Sequence, residues 1–148
     1  MSAGTGIQHS EYNSDHENPA HGYQIWILPE KNGITPRYEQ RRFEYSHGCQ
    51  LILSPDARDG SLKVYQDMSL TRWILKNGDK PNIEVALGRK IWIQVVKGNI
   101  QIGDQKATTS DAFAISDESY VPIQANSDSE ILVFDLPPSK TTIGPMRK

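Results

Sequence analysis

Apolar residues fall in short runs rather than at helical spacing. The runs 23–28, 50–54, 62–67, 69–75, 83–87, 90–96, 99–102, 112–115, 120–124 and 130–136 are rich in β-branched and aromatic side chains. Gly, Pro, Asn and Asp separate them, at 55–60, 77–79, 97–99 and 103–104. Ten short strands with turns between them predict an all-β domain, a sandwich, jelly roll or barrel. Residues 12–22 are polar and read as a loop, and 139–148 read as a disordered tail without a packing pattern. The three tryptophans, Trp26, Trp73 and Trp92, are expected in core or inter-sheet packing.

Size and charge narrow the classes. At 148 residues the chain suits one ordinary domain. Sixteen Lys and Arg nearly balance eighteen Asp and Glu, so no basic stripe points to nucleic acid. The densest basic stretch, 37–42, is offset by Glu39 and Glu44 and reads as a solvated face or strand edge. Cys49 stands alone, which rules out an intrachain disulfide and suits a reducing, cytoplasmic setting. No apolar run is long enough to span a bilayer as a helix, and residues 1–6 do not resemble a signal peptide. No Gly-x-Ser-x-Gly elbow or Cys–His context suggests a hydrolase.

One constellation carries chemistry. On a strand, residues two apart share a face, about 6.5–7 Å from each other along the chain. His9 and Glu11 would then offer an imidazole and a carboxylate to one ion, a donor pair suited to iron, manganese, nickel or zinc. A His-x-Glu pair by itself is common on protein surfaces. What singles this one out is the glycine-rich turn, Gly4 to Gly6, leading into it. His16, His21 and His47 sit in polar loop or turn sequence and read as surface histidines.

The spacing Gly6-x-x-His9-x-x-x-Asn13 resembles the second motif of the cupin superfamily, a glycine turn followed by a strand with a metal-binding histidine. Cupins usually carry a proline two residues before that glycine; Gly4 stands here. Segments 1–13, 24–30, 36–40, 53–61, 66–67, 92–98 and 134–137 together resemble the pirin family, bacterial bicupins that include quercetin 2,3-dioxygenases. The resemblance implies a cupin (double-stranded β-helix, jelly-roll) fold. It divides the chain into a remnant of an N-terminal cupin with a connector (1–47), a complete metal-free C-terminal cupin (48–138) and the tail. Aligning the other cupin motif so that it closes at Gly98 places Ile91 where its glutamate belongs, with Val85 and Leu87 at its histidine positions.

The resemblance also implies a four-ligand site in the N-terminal cupin. His9 and Glu11 match its second pair as metal ligands, with Glu11 a candidate to shuttle the substrate's proton. The first pair, on a His-Pro-His-type strand, has no counterpart in this chain. The implied cofactor is a divalent metal, iron foremost, with manganese, nickel, cobalt, copper or zinc as alternatives. The implied activity is metal-dependent dioxygenation of a flavonoid-type small molecule, expected to be nearly absent in this chain alone. Three origins fit the missing strand: a misassigned start, a short form without catalysis, or a second polypeptide that completes the barrel. The alternative function is a non-catalytic, partner-binding or regulatory pirin-like protein. In either case exposed strand edges near 23–28 are expected to drive self-association or cover by a partner chain, with no membrane contact.

Overall fold

The computed structural model describes residues 1–138, so the expected tail lies outside the described residues. Among the described residues there are eleven strands, all between Gly48 and Leu136. They are β1 (Gly48–Ser54), β2 (Leu62–Lys63), β3 (Ser69–Leu75), β4 (Asn82–Glu84), β5 (Lys90–Lys97), β6 (Asn99–Ile102), β7 (Gln105–Thr108), β8 (Ala112–Ser116), β9 (Tyr120–Pro122), β10 (Gln124–Ala125) and β11 (Ser129–Leu136). A six-stranded sheet runs in the order β2-β1-β3-β11-β5-β8. A three-stranded sheet, β10-β6-β7, and a two-stranded one, β4-β9, complete the set. Every pairing is antiparallel except the short β1–β2 pair. The all-β, jelly-roll expectation is met.

Strand periodicity builds the core. On β5, Ile91, Ile93 and Val95 are buried, while Trp92, Gln94 and Val96 point the other way. β11 repeats the pattern, with Ile131 and Val133 buried, and its register sets Ile131 beside Val95 and Val133 beside Ile93. Leu75, Val85, Ile100, Ala107, Val121, Ile123 and Ala125 close the same cluster from the other strands and loops. All three sheets contribute, so the interior is one continuous aliphatic packing. Burying each such side chain contributes about 1.5–3 kcal/mol.

The Gly98 turn carries the chain from β5 in the six-stranded sheet to β6 in the three-stranded one. Gly98 has φ of +95°, and a Cβ there would lie 2.3 Å from Ser129 Oγ and 2.5 Å from the Asp128 carbonyl oxygen. Only glycine allows this approach. Ser127 Oγ and Ser129 Oγ then accept from the Asn99 N–H at 3.0 and 3.1 Å. Nearby, Asp128 accepts from Lys76 Nζ at 2.9 Å and from the Asn77 N–H at 3.0 Å. Those two donors hold its carboxyl below the ordinary value of 3.8. Asp79 is depressed in the same sense, first by His47 Nε2 at 2.7 Å and then by the Lys76 N–H.

Residues 1–47 form no strand, which corrects the strand expected at 23–28. A strand needs a neighbour for its backbone groups, and no described segment runs beside this one. The arm is instead tied to the strands at a few points. The Glu30 N–H donates to the Tyr65 carbonyl at 2.8 Å, Gln66 Nε2 to the Leu28 carbonyl at 2.7 Å, and Arg41 and Arg72 reach the Gly60 and Glu44 carbonyls. The run at 62–67 shortens to β2, and the run at 83–87 shortens to β4. Val85 and Ile91 do face the core, but Leu87 stands fully exposed in the turn before β5. Trp73 packs against the core as expected, whereas Trp26 lies on the surface and Trp92 is partly exposed.

Two outcomes follow for stability. Ile93→Ala should destabilise the protein by about 2–5 kcal/mol in chemical denaturation, and Gly98→Ala by about 1 kcal/mol or more. The depressed carboxyls bind protons less readily folded than unfolded. Their contribution is therefore present above the ordinary value of 3.8 and is lost as pH falls through their lower folded values. Melting temperature should drop below that pH, and Asp128→Asn should flatten the drop.

Candidate metal-ligand site

The sequence from Gly4 to Asn13 is shaped by its glycines. Gly4 takes φ of +54°, and a Cβ on it would meet the Ile34 carbonyl oxygen at 2.0 Å. A two-way bridge between Ser2 and Arg37, with N···O distances of 2.8 and 3.0 Å, closes the arm on itself there. The Gly6 N–H then donates to the Ala3 carbonyl at 2.8 Å, completing the tight turn that releases the chain toward His9.

His9 Nε2 and Glu11 Oε1 lie 3.9 Å apart. Neighbouring ligands with metal bonds of about 2.1 Å lie about 3.0–3.4 Å apart, so this pair would close by about half an ångström to share a cation. An imidazole nitrogen with a carboxylate oxygen suits the divalent metals named above. The pair therefore fits the group in donor type, and in spacing after a small closure, as two of its ligands. Among the described residues no cluster of three or more His, Cys, Asp or Glu is placed to hold an ion.

Both side chains are open to solvent, His9 at 42% and Glu11 at 75%. The apolar enclosure that a proton-shuttling Glu11 requires is not formed by the described residues. Residues 7–13 also lack the strand hydrogen bonds expected there. The next segment, 13–18, folds on its own side chains: Asn13 Nδ2 donates to the Asn18 carbonyl at 2.7 Å, and Asp15 accepts from the Glu17 and Asn18 N–H groups. The Asn18 side chain first, then these N–H groups, hold the Asp15 carboxyl low.

The remaining histidines stay out of the pair. His21 meets the Tyr23 ring edge-on at 5.4 Å, and His16 is exposed. His47 has a structural partner that spacing did not reveal, Asp79, thirty-two residues on. The buried core cluster of the strand-built portion is entirely aliphatic and holds no His, Cys, Asp or Glu.

With that geometry in hand, comparison with known proteins is direct. Residues 51–136 match the family model described as the quercetinase C-terminal cupin domain, and residues 1–27 match the one described as pirin. The quercetin 2,3-dioxygenase of Escherichia coli K12 is 62% identical over 138 residues, covering 93% of this chain and 60% of that protein. A putative quercetin 2,3-dioxygenase of Pasteurella multocida is 46% identical, covering 92% and 59%. The crystal structure of the bacterial pirin YhhW from Escherichia coli in complex with nickel(II) superposes with a TM-score of 0.75 at 61% identity, over 77% of this chain and 49% of that one. The chain thus spans about 60% of the length of the curated relatives it matches. Its strands and these matches agree: the chain belongs to the pirin family and carries that family's quercetinase C-terminal cupin domain.

Proposed function

We propose that this chain supplies one part of a pirin-type, metal-dependent quercetin 2,3-dioxygenase. Residues 1–47 act as the closing portion of an N-terminal cupin, and 48–138 act as a metal-free cupin that serves as its scaffold. The observation that carries the reading is the 3.9 Å His9–Glu11 pair behind its double-glycine turn. The nickel(II) complex of the Escherichia coli pirin supports a divalent ion as the partner of such a pair, with iron the other leading candidate.

A bound divalent metal would supply Lewis acidity toward the acidic hydroxyl of a flavonol and hold that oxygen in place. His9 contributes a neutral imidazole donor. Glu11 contributes a carboxylate oxygen, and its second oxygen is free to hold the substrate's hydroxyl proton. The Gly4–Gly6 turn, anchored on Ile34 and Arg37, sets the direction in which both leave the arm. Donors from outside the described residues complete the set and wall off the carboxylate from water. The reading places the protein in the cytoplasm, in keeping with its lone cysteine; no helix of the described residues is long and apolar enough to cross a membrane.

A second reading, a non-catalytic pirin that binds a partner, draws on a different observation: an uncovered apolar face around Trp26 and Leu28. It predicts a stable complex where the first predicts chemistry.

Two measurements test the proposal. In calorimetric titration with nickel(II), the chain should bind weakly, His9→Ala and Glu11→Ala should each weaken binding further, and His47→Ala should leave it unchanged. Binding indifferent to His9 would refute the assignment. In a flavonol-consumption assay with iron, nickel, manganese or cobalt, the chain alone should show almost no turnover. Adding the separately produced N-terminal part of the Escherichia coli relative should raise it, and Glu11→Gln should abolish the gain. Robust turnover by the isolated chain would contradict the shared site.

A further inference from the structure

Seven asparagines stand in the chain, and two of them, Asn32 and Asn77, are followed by glycine. That dyad is open to intramolecular chemistry, because no Cβ on the glycine shields its nitrogen from the asparagine side chain before it. Both dyads lie on the surface. Both glycines take positive φ, +69° at Gly33 and +91° at Gly78, and a Cβ on either would meet nothing within 4 Å beyond its chain neighbours. Exposure and space therefore do not tell the two dyads apart. Their hydrogen bonds do.

Asn77 and Gly78 form the tip of a closed turn. The Asp79 N–H donates to the Lys76 carbonyl at 3.0 Å and closes it. The Asn77 N–H donates to the Asp128 carboxylate at 3.0 Å, and the Gly78 N–H to the Ala125 carbonyl of β10 at 2.8 Å. Three consecutive amides are thus held by three separate acceptors. The other dyad has none of this. Among the described residues, neither the backbone nor the side-chain groups of Asn32 and Gly33 make a hydrogen bond. The dyad lies between two ties of the arm, the Glu30 N–H on the Tyr65 carbonyl and the bridge from Arg37 to Ser2.

We infer that Asn32 is a site of spontaneous deamidation and that the folded turn protects Asn77 from it. In the first step the Gly33 nitrogen gives its proton to a solvent base and attacks Asn32 Cγ. A C–N bond forms, the side-chain amide takes up a proton and leaves as ammonia, and a succinimide ring closes. Water then opens the ring at either carbonyl. One opening gives aspartate; the other gives isoaspartate, in which the main chain runs through the side-chain carbon. The sum is amide plus water going to carboxylic acid plus ammonia, with no oxidant or reductant. At Asn77 the same attack requires the Gly78 N–H to leave the Ala125 carbonyl first. That is a local opening of the kind that also limits amide hydrogen exchange. Isoaspartate at 32 would lengthen the main chain by one carbon shortly before Ile34, whose carbonyl lies against Gly4. The inference rests on the two turns and not on the metal pair, so either can fail without the other.

The full 148-residue chain, aged in mildly alkaline buffer, tests it by peptide mapping with fragmentation that separates aspartate from isoaspartate. Asn32 should convert more than about tenfold faster than Asn77, as expected when one dyad must open before it reacts. In denaturant the two rates should come together, since both glycine nitrogens are then free. Asn32→Gln should remove the major product. Equal rates in the folded chain, or no conversion at Asn32, overturn the inference. A rate gap that persists unchanged in denaturant overturns it too, by assigning the difference to flanking residues and not to the folded hydrogen bonds.

Discussion

The molecule depends on one packed row: Ile91, Ile93 and Val95 of β5, zipped in register to Ile131 and Val133 of β11. These side chains fill the interior of the strand-built portion with aliphatic packing. An imidazole or carboxylate placed among them would be buried without a partner, at a cost of several kcal/mol. The row that holds the C-terminal cupin together therefore has no room for such a donor. The arm that precedes β1 carries the proposed His9–Glu11 pair.

The arm has the opposite physics. Its ties to the strands are single hydrogen bonds at Glu30, Leu28, Arg41 and Glu44, and its bulky residues face outward. Few buried contacts mean low local stability, the usual property of segments that take up ligands or partners. The His9–Glu11 pair inherits this. Its two donors lie within a small closure of sharing an ion, but no neighbouring group among the described residues locks the imidazole or dries the carboxylate. On the proposed shared-site reading, that support comes from outside the described residues.

Much of this was legible in the amino-acid order, for physical reasons. β1, β3, β5, β6, β8 and β11 fall on short runs rich in β-branched, aliphatic or aromatic residues between turn residues, so composition and punctuation announced them. β7 did not, because only Ala107 of Gln105–Thr108 is buried and the rest is polar. The segment 23–28 misled in the other direction: its residues favour a strand, but a strand exists only beside another. Trp26 was expected inside on the strength of its size, and lies outside because nothing described covers it. Leu87 fails for a local reason, its place in the Gly88 turn. The two-residue spacing and the glycine frame singled out His9 and Glu11, which lie 3.9 Å apart, whereas the His47–Asp79 contact joins residues thirty-two apart and leaves no trace in local sequence.

The most direct test of the half-supplied site is nickel K-edge X-ray absorption on the chain loaded with one equivalent of the ion. The account predicts a single imidazole in the coordination sphere, with oxygen donors from Glu11 and water making up the rest. Two or more imidazoles on one ion, in a solution where the chain is shown to be monomeric, would contradict it.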